Sequence, residues 1–412
     1  MKIAMFADCY YPRVNGVVVS MHSFAQELIN RGHVVKIMTV EYPDDYEFGK
    51  GIDENYGIID SPNFSIERLS SKMIIFSRED RLLRFRSWFA IKQIMDKFCP
   101  DIIHINSEWL VGYFGVMYAR HRNKPCIFTF HTMWEDYIKN YAPFVMETVS
   151  RKIGRDLVKF YLKRADYVLA PTPRIAEKVR EYGVEAKPAL LPTGIASCDF
   201  QIEEERCDRV REGLFERFPN MRNKKILLFA GRVAKEKNIP FLLSVLKNVN
   251  RRLPEQQKAV LLIAGDGVFL PELTTLIHEQ GLEKDIFCLG YVEHQYLAYL
   301  YSLADVFTFP SKTETQGLVT LEAMTMGLPV VAIGELGTKD VMQGDNGGFM
   351  VPDDVSIFSD RVYQLLTNSE LHAAKSREAK EWSKQWSIES LTDKLLEAYK
   401  QTILVHRQTH SW

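Results

Sequence analysis

The 412-residue chain is poor in cysteine, and its six, at positions 9, 99, 126, 198, 207 and 288, show neither metal-ligand nor redox spacing. With 46% apolar residues the chain needs no disulfide framework to hold a core, so the thiols are read as reduced. Long hydrophobic runs are also missing. No stretch reaches membrane-spanning length, and the opening MKIAMFADCYYP has too short an apolar segment for a signal peptide, which together predict a cytoplasmic protein. Net charge is only −1, so no global basic excess points to nucleic acid. Fixed-period repeats and low-complexity tracts are absent, which excludes a solenoid. What remains, with 25% charged residues, is a soluble globular protein too long for one ordinary core.

Two α/β series fill that length. Lys2 to Phe6 reads as a buried strand, Gly16 precedes an amphipathic helix ending near Arg31-Gly32, and His33 to Val40 reads as the next strand. Asp101 to Ile105, Cys126 to Phe130 and Tyr167 to Ala170 continue the pattern of short apolar strands separated by helices. The second series has strands at Lys225 to Ala230, Ala259 to Ala264, Ile286 to Leu289, Val306 to Phe309 and Val330 to Ile333. Alternation of this kind predicts two doubly wound parallel sheets, facing each other across a cleft at their carboxyl ends. The charged segment Gln201 to Asn223 separates them, with the boundary close to Ile195–Gln201. The expected division is residues 1–197, residues 198–387, and a final helix over 388–412 that packs back on the first domain. That helix runs from a Ser387 cap to about Val405.

The stretch KTETQGLVTLEAMTMGLPVV, residues 312–331, carries Glu314 and Glu322 around the start of a short helix. Gly317 loosens the backbone before Leu318 to Met326, and Gly327 with Pro329 stops the helix. Glu322 falls in its second turn and Glu314 in the preceding loop, so the pair brackets an end whose free N–H groups favour an anion. A sugar nucleotide has matching parts, a diphosphate and flanking hydroxyls. In KILLFAGRVAKEKNIPF, residues 225–241, a strand runs into Gly231-Arg232, with Lys237 before a helix near Pro240. An arginine fork and a lysine point charge can offset a diphosphate without a metal, although solvated surface cations account for this segment alone equally well. VLLIAGDG, residues 260–267, sets Gly265 and Gly267 after a buried strand, for close ligand approach or for a tight turn. Cys288 to Val292 is by default a plain strand end, and its backbone can also meet a flat nucleobase edge. Asn15-Gly16-Val17 fits either a phosphate or sugar approach or a simple turn, and His131, in FHTMWEDYI, stands at a strand's carboxyl end.

Taken in order, Asn15-Gly16-Val17, His131-Thr132 with Glu135, Pro192-Thr193-Gly194-Ile195, Gly231-Arg232 with Lys237, Gly265-Asp266-Gly267, and Glu314-Thr-Gln-Gly-Leu with Glu322 resemble the retaining GT-B glycosyltransferases of family four. TFHTMWEDY and ETQGL look most like the bacterial glucosyl-diacylglycerol synthases within that family. The resemblance implies two Rossmann-like domains, the second binding the nucleotide sugar. It implies a diphosphate pair at Arg232 and Lys237, a ribose-binding Glu322, a Glu314 beside the transferred sugar, and a His131 near its hydroxymethyl. Gly16 matches the glycine loop over the donor, while Gly265, Val292, Gly317 and Leu318 complete the donor-binding set. Catalytic weight then rests on His131, Arg232, Lys237 and Glu314. No metal or other cofactor is obligatory in such enzymes, and the departing diphosphate helps to deprotonate the acceptor on one face of the sugar. The two carboxylates are then expected to position the donor and stabilise positive charge on the ring, not to act as a glycosidase's acid and nucleophile.

Residues 1–200 hold 27 Lys+Arg against 24 Asp+Glu, so the basic excess is local. Residues 72–97 combine seven Lys/Arg with three acids, including Arg81, Arg84, Arg86 and Trp88, and read as an interfacial helix. RKIGRDLVKFYLKR, residues 151–164, has six Lys/Arg and one acid, among them Arg151, Lys152, Arg155 and Lys159. Two ordinary amphipathic helices would produce the same counts. Both segments lie where a lipid acceptor would enter, which predicts peripheral association with an anionic membrane at its inner, cytoplasmic face. The leading expectation is transfer of glucose from UDP-glucose to a diacylglycerol hydroxyl, giving an α-glycosyl lipid. Galactose, or a sphingoid, inositol-lipid or soluble glycan acceptor, keeps the chemistry and changes the partners. A sugar-nucleotide epimerase and a non-catalytic, membrane-docked sugar-nucleotide-binding module share the architecture.

Overall fold

The computed structural model describes residues 1–13, 15–42, 59–74, 77–84, 86–131, 147–182, 188–196, 200–314 and 316–409. The chain divides into two compact units, Met1–Gly194 with Ile388–Trp412, and Ile195–Ser387.

In the first unit the order is β1 (Lys2–Phe6), α1 (Gly16–Asn30), β2 (Val34–Val40), β3 (Phe64–Leu69), β4 (Ser71–Ile74), β5 (Ser77–Leu83), α2 (Ser87–Phe98), β6 (Ile102–Ile105), α3 (Leu110–His121), β7 (Cys126–Thr129), α4 (Glu147–Leu162), β8 (Tyr167–Ala170), α5 (Pro173–Glu181) and β9 (Ala189–Leu190). All strands but β4 and β5 form one sheet in the order β3-β2-β1-β6-β7-β8-β9, and its pairs are parallel. Buried on both faces, β6 and β7 expose almost nothing, which explains their continuous apolar runs. α1 starts where the Asn15 side chain accepts the Val18 N–H, and it buries Val18, Met21, Ala25 and Leu28 at helical spacing.

One expectation fails. Residues 72–97 are not one interfacial helix, because β4 and β5 form an antiparallel hairpin and only α2 is helical. Pairing of Ser71 with Leu83 and of Lys72 with Leu82 imposes a period of two, which turns Leu83 into the core while Leu82 stays exposed. A helical period begins only at Ser87, from which Ile91 and Met95 point inward. The edge strands β3 and β9 also go beyond the strands anticipated from the sequence.

The final helix, α14 (Ile388–Thr409), ends about one turn later than expected and belongs to this first unit. It packs on α1, β7 and β8, burying Leu391, Leu395, Ala398 and Tyr399. Buried polar contacts fix its register. The Tyr399 hydroxyl lies 2.8 Å from His104 Nδ1, and His104 Nε2 lies 2.7 Å from the Thr129 hydroxyl. Further along, His406 Nδ1 meets Asp166 Oδ2 at 3.0 Å.

The second unit runs α6 (Glu204–Arg217), β10 (Lys225–Ala230), α7 (Ile239–Arg252), β11 (Ala259–Ala264), α8 (Leu270–Glu279), β12 (Ile286–Gly290), α9 (His294–Leu303), β13 (Val306–Phe309), α10 (Leu318–Thr325), β14 (Val330–Ile333), α11 (Leu336–Met342), β15 (Gly348–Val351), α12 (Val355–Thr367) and α13 (Ser369–Ser383). Its parallel sheet has the order β12-β11-β10-β13-β14-β15. A doubly wound α/β architecture therefore holds in both units.

His104 is a buried titratable group, and burial, with nearby His131 adding to it, pushes its imidazole down to about 3 from an ordinary 6.5. The folded-state value lies below the unfolded one, so the unfolded chain takes the proton first as pH falls. Stability from this neutral, buried imidazole is complete above about pH 6.5 and is lost progressively below it. Between pH 7 and 5 the loss should be on the order of 2 kcal/mol. Urea denaturation of the native chain and of His104→Gln at both pH values tests this, since the variant should show the shallower pH dependence and an identical one would refute it.

Candidate active site

The second unit reverses its strand order at β10, which pairs with β11 on one side and β13 on the other. Segments leaving the carboxyl ends of β10 and β13 thus emerge side by side, the position where open α/β sheets take ligands. After β10 the chain passes Gly231, Arg232 and a single 3-10 turn at Lys235–Lys237 before the left-handed Asn238 that opens α7. After β13 it passes Pro310 and Ser311 to Glu314. Lys237 Nζ donates to Glu314 Oε2 at 2.5 Å, with side chains 14% and 23% exposed. Arg232 is 70% exposed and pairs at 2.8 Å with Glu236, a solvent-screened contact that holds it weakly. Of the two expected cations, the fold therefore brings only Lys237 onto Glu314.

Glu314 is anchored through its backbone as well, its carbonyl accepting the Gly337 N–H at 2.9 Å. Gly317 lies at φ +66, where glycine is favoured, and a Cβ there would come 3.4 Å from the Gly337 carbonyl oxygen. Leu318, the first residue of α10, packs partly buried against the core, as does Val292 beyond β12.

Glu322 sits in the second turn of α10 and is 9% exposed. Its Oε2 accepts the Tyr301 hydroxyl at 2.8 Å, and His294 Nε2 lies 3.5 Å from Oε1. Burial, and then the charge of Glu322, push the Tyr301 phenol well above its ordinary value. Sequence reasoning missed both neighbours. Tyr301 reads as one more core aromatic in HQYLAYLYSL, and only the packing of α9 on α10 reveals its partner.

Of the two readings of Gly265, the structure supports the tight turn. At φ +157 a Cβ would fall 1.8 Å from the Gly231 carbonyl oxygen, and at Gly267 one would fall 2.2 Å from that of Val233. The Gly231 N–H donates to Ala264 O at 3.0 Å and the Val233 N–H to Asp266 O at 2.9 Å. The two turns thus lock together, and the chain itself fills the space that glycine leaves on that side.

In the first unit, Gly16 begins α1, and a Cβ there would meet nothing within 4 Å. Its backbone conformation does not call for glycine either. His131 follows β7, and its Nε2 is buried without a hydrogen-bond partner among the described residues, while burial pushes the imidazole down to about 4. Thr132, Glu135 and Tyr137 lie outside the described residues. Asp8, not singled out from the sequence, caps α3: its carboxylate accepts the N–H groups of Val111 at 2.8 Å and Trp109 at 3.1 Å, and the Ser107 hydroxyl. Burial raises its pKa above the ordinary carboxylate value despite these donors.

Among the basic segments, Arg84 and Arg86 are exposed. Arg81 is half-buried, and its Nε donates to the Ser71 hydroxyl at 3.1 Å. Trp88 turns inward, its ring 5.9 Å from Phe114, so the aromatic that faces solvent is its neighbour Phe89, 72% exposed. On α4, Lys152 and Arg155 are exposed and Lys159 is half-buried, while the side chain of Arg151 lies outside the described residues. Among the described residues no helix is long and apolar enough to cross a membrane.

This arrangement of two Rossmann-like units on parallel sheets is the GT-B fold of glycosyltransferases. The family model Glycosyltransferase Family 4 matches residues 14–197, and Glycosyl transferases group 1 matches residues 210–382. The chain belongs to the family-four glycosyltransferases. It is 30% identical over 334 residues to an alpha-monoglucosyldiacylglycerol synthase of Streptococcus pneumoniae, covering 81% of this chain and 71% of that protein. With one of the same description from Acholeplasma laidlawii it shares 26% identity over 398 residues, 94% of each chain. The solved structure of HepE from Anabaena in complex with UDP is similar in fold, with a TM-score of 0.71 at 16% identity over 97% of this chain and 99% of that one.

The glycines separate by experiment. Gly265→Ala should destabilise the fold by about 3 kcal/mol or more, because backbone must move to admit a methyl group. Gly16→Ala should change stability by less than about 1 kcal/mol, since the helix start has room for it. Urea unfolding followed by circular dichroism checks both, and equal losses would contradict the assignment.

Proposed function

We propose that the chain transfers glucose from UDP-glucose to a hydroxyl of a membrane lipid, 1,2-diacylglycerol, with retention of configuration at the sugar. The observation that carries the reading is the Lys237–Glu314 contact beside the β10/β13 switch point, with Glu322 in the helix that follows. Lys237 keeps two further N–H donors for a diphosphate, and Arg232 stands at the rim to join it. Glu322 serves the ribose, Glu314 the hexose, and His131, whose buried Nε2 has no hydrogen-bond partner among the described residues, the hydroxymethyl of that hexose. Gly16 leaves the start of α1 open for the donor to approach.

UDP as the nucleotide is supported by the HepE complex, and diacylglycerol as the acceptor by the two bacterial relatives, both alpha-monoglucosyldiacylglycerol synthases. Exposed Arg84, Arg86, Phe89, Lys152 and Arg155 support attachment of the first unit to an anionic membrane surface at its cytoplasmic face. Both carboxylates already accept a hydrogen bond from a protein donor, Glu314 from Lys237 and Glu322 from Tyr301. Their work is accordingly to hold the donor and to stabilise charge on the sugar as the bond to diphosphate breaks.

Glu314→Ala and Lys237→Ala should each lower kcat/KM by about 100-fold or more in a mass-spectrometric product assay with mixed UDP-sugars and lipids. Near-normal turnover in either variant would remove that residue from the mechanism, and UDP release without a lipid acceptor would overturn the transferase reading in favour of an epimerase. Sedimentation with anionic liposomes at low salt, weakened by Arg84→Ala with Arg86→Ala, checks the membrane surface. Failure of the native chain to sediment would withdraw it.

A further inference from the structure

Glu322 is a carboxylate set into an apolar helix, LVTLEAMT, and its neighbours in that helix are core residues. A side chain with three rotatable bonds presents its lone pairs in a fixed direction only if something holds it. Tyr301 does so. Its hydroxyl donates to Oε2 at 2.8 Å, and its ring is wedged against Phe307, with centroids 5.7 Å apart and planes at 67°, and tilted against Phe200. Tyr301 is 1% exposed, so the phenol cannot swing away to follow a moving carboxylate. A phenol has one proton to donate, and Glu322 receives it.

His294 bounds the same carboxylate on the open side. It is the first residue of α9, its side chain is 40% exposed, and its ring stands edge-on to Phe200 with centroids 5.7 Å apart. At 3.5 Å from Oε1 its Nε2 is wider than a good hydrogen bond, so Oε1 keeps acceptor capacity. A carboxylate offers about four lone-pair sites, of which Tyr301 takes one. The remaining sites suit a ligand with two adjacent hydroxyl donors, and a ribose carries such a diol.

We propose that Tyr301 and His294 are positioning residues for the nucleoside, Tyr301 fixing the Glu322 carboxylate from the core side and His294 confining it from the rim, so that the chain selects a ribose diol. The inference rests on the reading that Glu322 takes the ribose, and it adds the two residues that make that contact selective.

Isothermal calorimetry on the full chain with UDP, 2′-deoxy-UDP and 3′-deoxy-UDP tests it. The native chain should bind UDP about tenfold more tightly than either deoxy analogue, the effect of one hydrogen bond to a charged group. In Tyr301→Phe, affinity for UDP should fall while affinity for the analogues changes little, narrowing the ratio to about twofold to threefold. KM for the donor should rise with kcat within about twofold, as for lost uniform binding. His294→Ala, at a partly exposed position, should narrow the ratio likewise and carries the test if Tyr301→Phe does not fold. Equal weakening of all three ligands in these variants would mark a merely structural role and overturn the proposal. Glu322→Ala separates the two layers. If it keeps the native ratio, the ribose reading falls and the positioning goes with it; if it narrows the ratio while neither Tyr301→Phe nor His294→Ala does, the positioning alone falls.

Discussion

The adjacency of β10 to β13 is the constraint on which the site depends. In a doubly wound sheet the first strand of the series has neighbours from both halves of the fold, and the segments leaving it and its second neighbour emerge together. Lys237 and Glu314 are 77 residues apart in sequence and meet only because β10 pairs with β13, Leu227 beside Val306 and Leu228 beside Phe307. The ion pair does not hold the sheet together. A partly buried pair recovers in attraction roughly what it loses in desolvation, whereas the surrounding strands bury nearly every side chain they carry. The sheet holds the pair, and a charge contact of little net stabilising value is available for chemistry.

The first unit repeats the arrangement at β1 and β6, with a different result. There the adjacent segments meet through Asp8, whose carboxylate gathers two backbone N–H groups and the Ser107 hydroxyl at the start of α3. That interaction satisfies orphan donors at a helix end and locks the loop after β1. On the same sheet, apolar burial by α14 supplies most of the attraction that seats the helix. The His104, Tyr399 and Thr129 contacts instead select one register, because a shift would strand buried polar groups.

Strands buried on both faces were legible in the sequence because a run of Val, Ile, Leu and Phe leaves few alternatives, and the strands so read lie within about a residue of their positions. The edge strand β3, FSIERL, escaped for the opposite reason: it is half exposed and mixes charges into its alternation. The basic stretch around the β4–β5 hairpin was misread because charge counts carry no period, and only strand pairing separates a hairpin from a helix of the same composition. At the site, Glu314, Glu322 and Lys237 were legible as residue types at a turn and a helix start. Their partners were not. That Lys237 belongs to Glu314, that Tyr301 belongs to Glu322 and that Gly265 makes room for Gly231 are facts of strand order and helix packing, which local spacing does not encode.

Those partners change what the two glutamates can do. Two carboxylates near a sugar suggest a glycosidase, in which one must carry a proton and the other must be free to attack or to activate water. Here one lies against an ammonium and the other against a phenol, and both are held by donors. Glu314 is tied to the Lys237 ammonium, and Glu322, pinned by a buried tyrosine, cannot travel toward a reacting carbon. Held acceptors of fixed direction are, however, what a site needs when the leaving group is a diphosphate that departs with its own negative charge. In the proposed reaction, the sheet order that brings Lys237 to Glu314 also puts the cation for the leaving group next to the acceptor for the sugar, so a single contact serves both sides of the breaking bond.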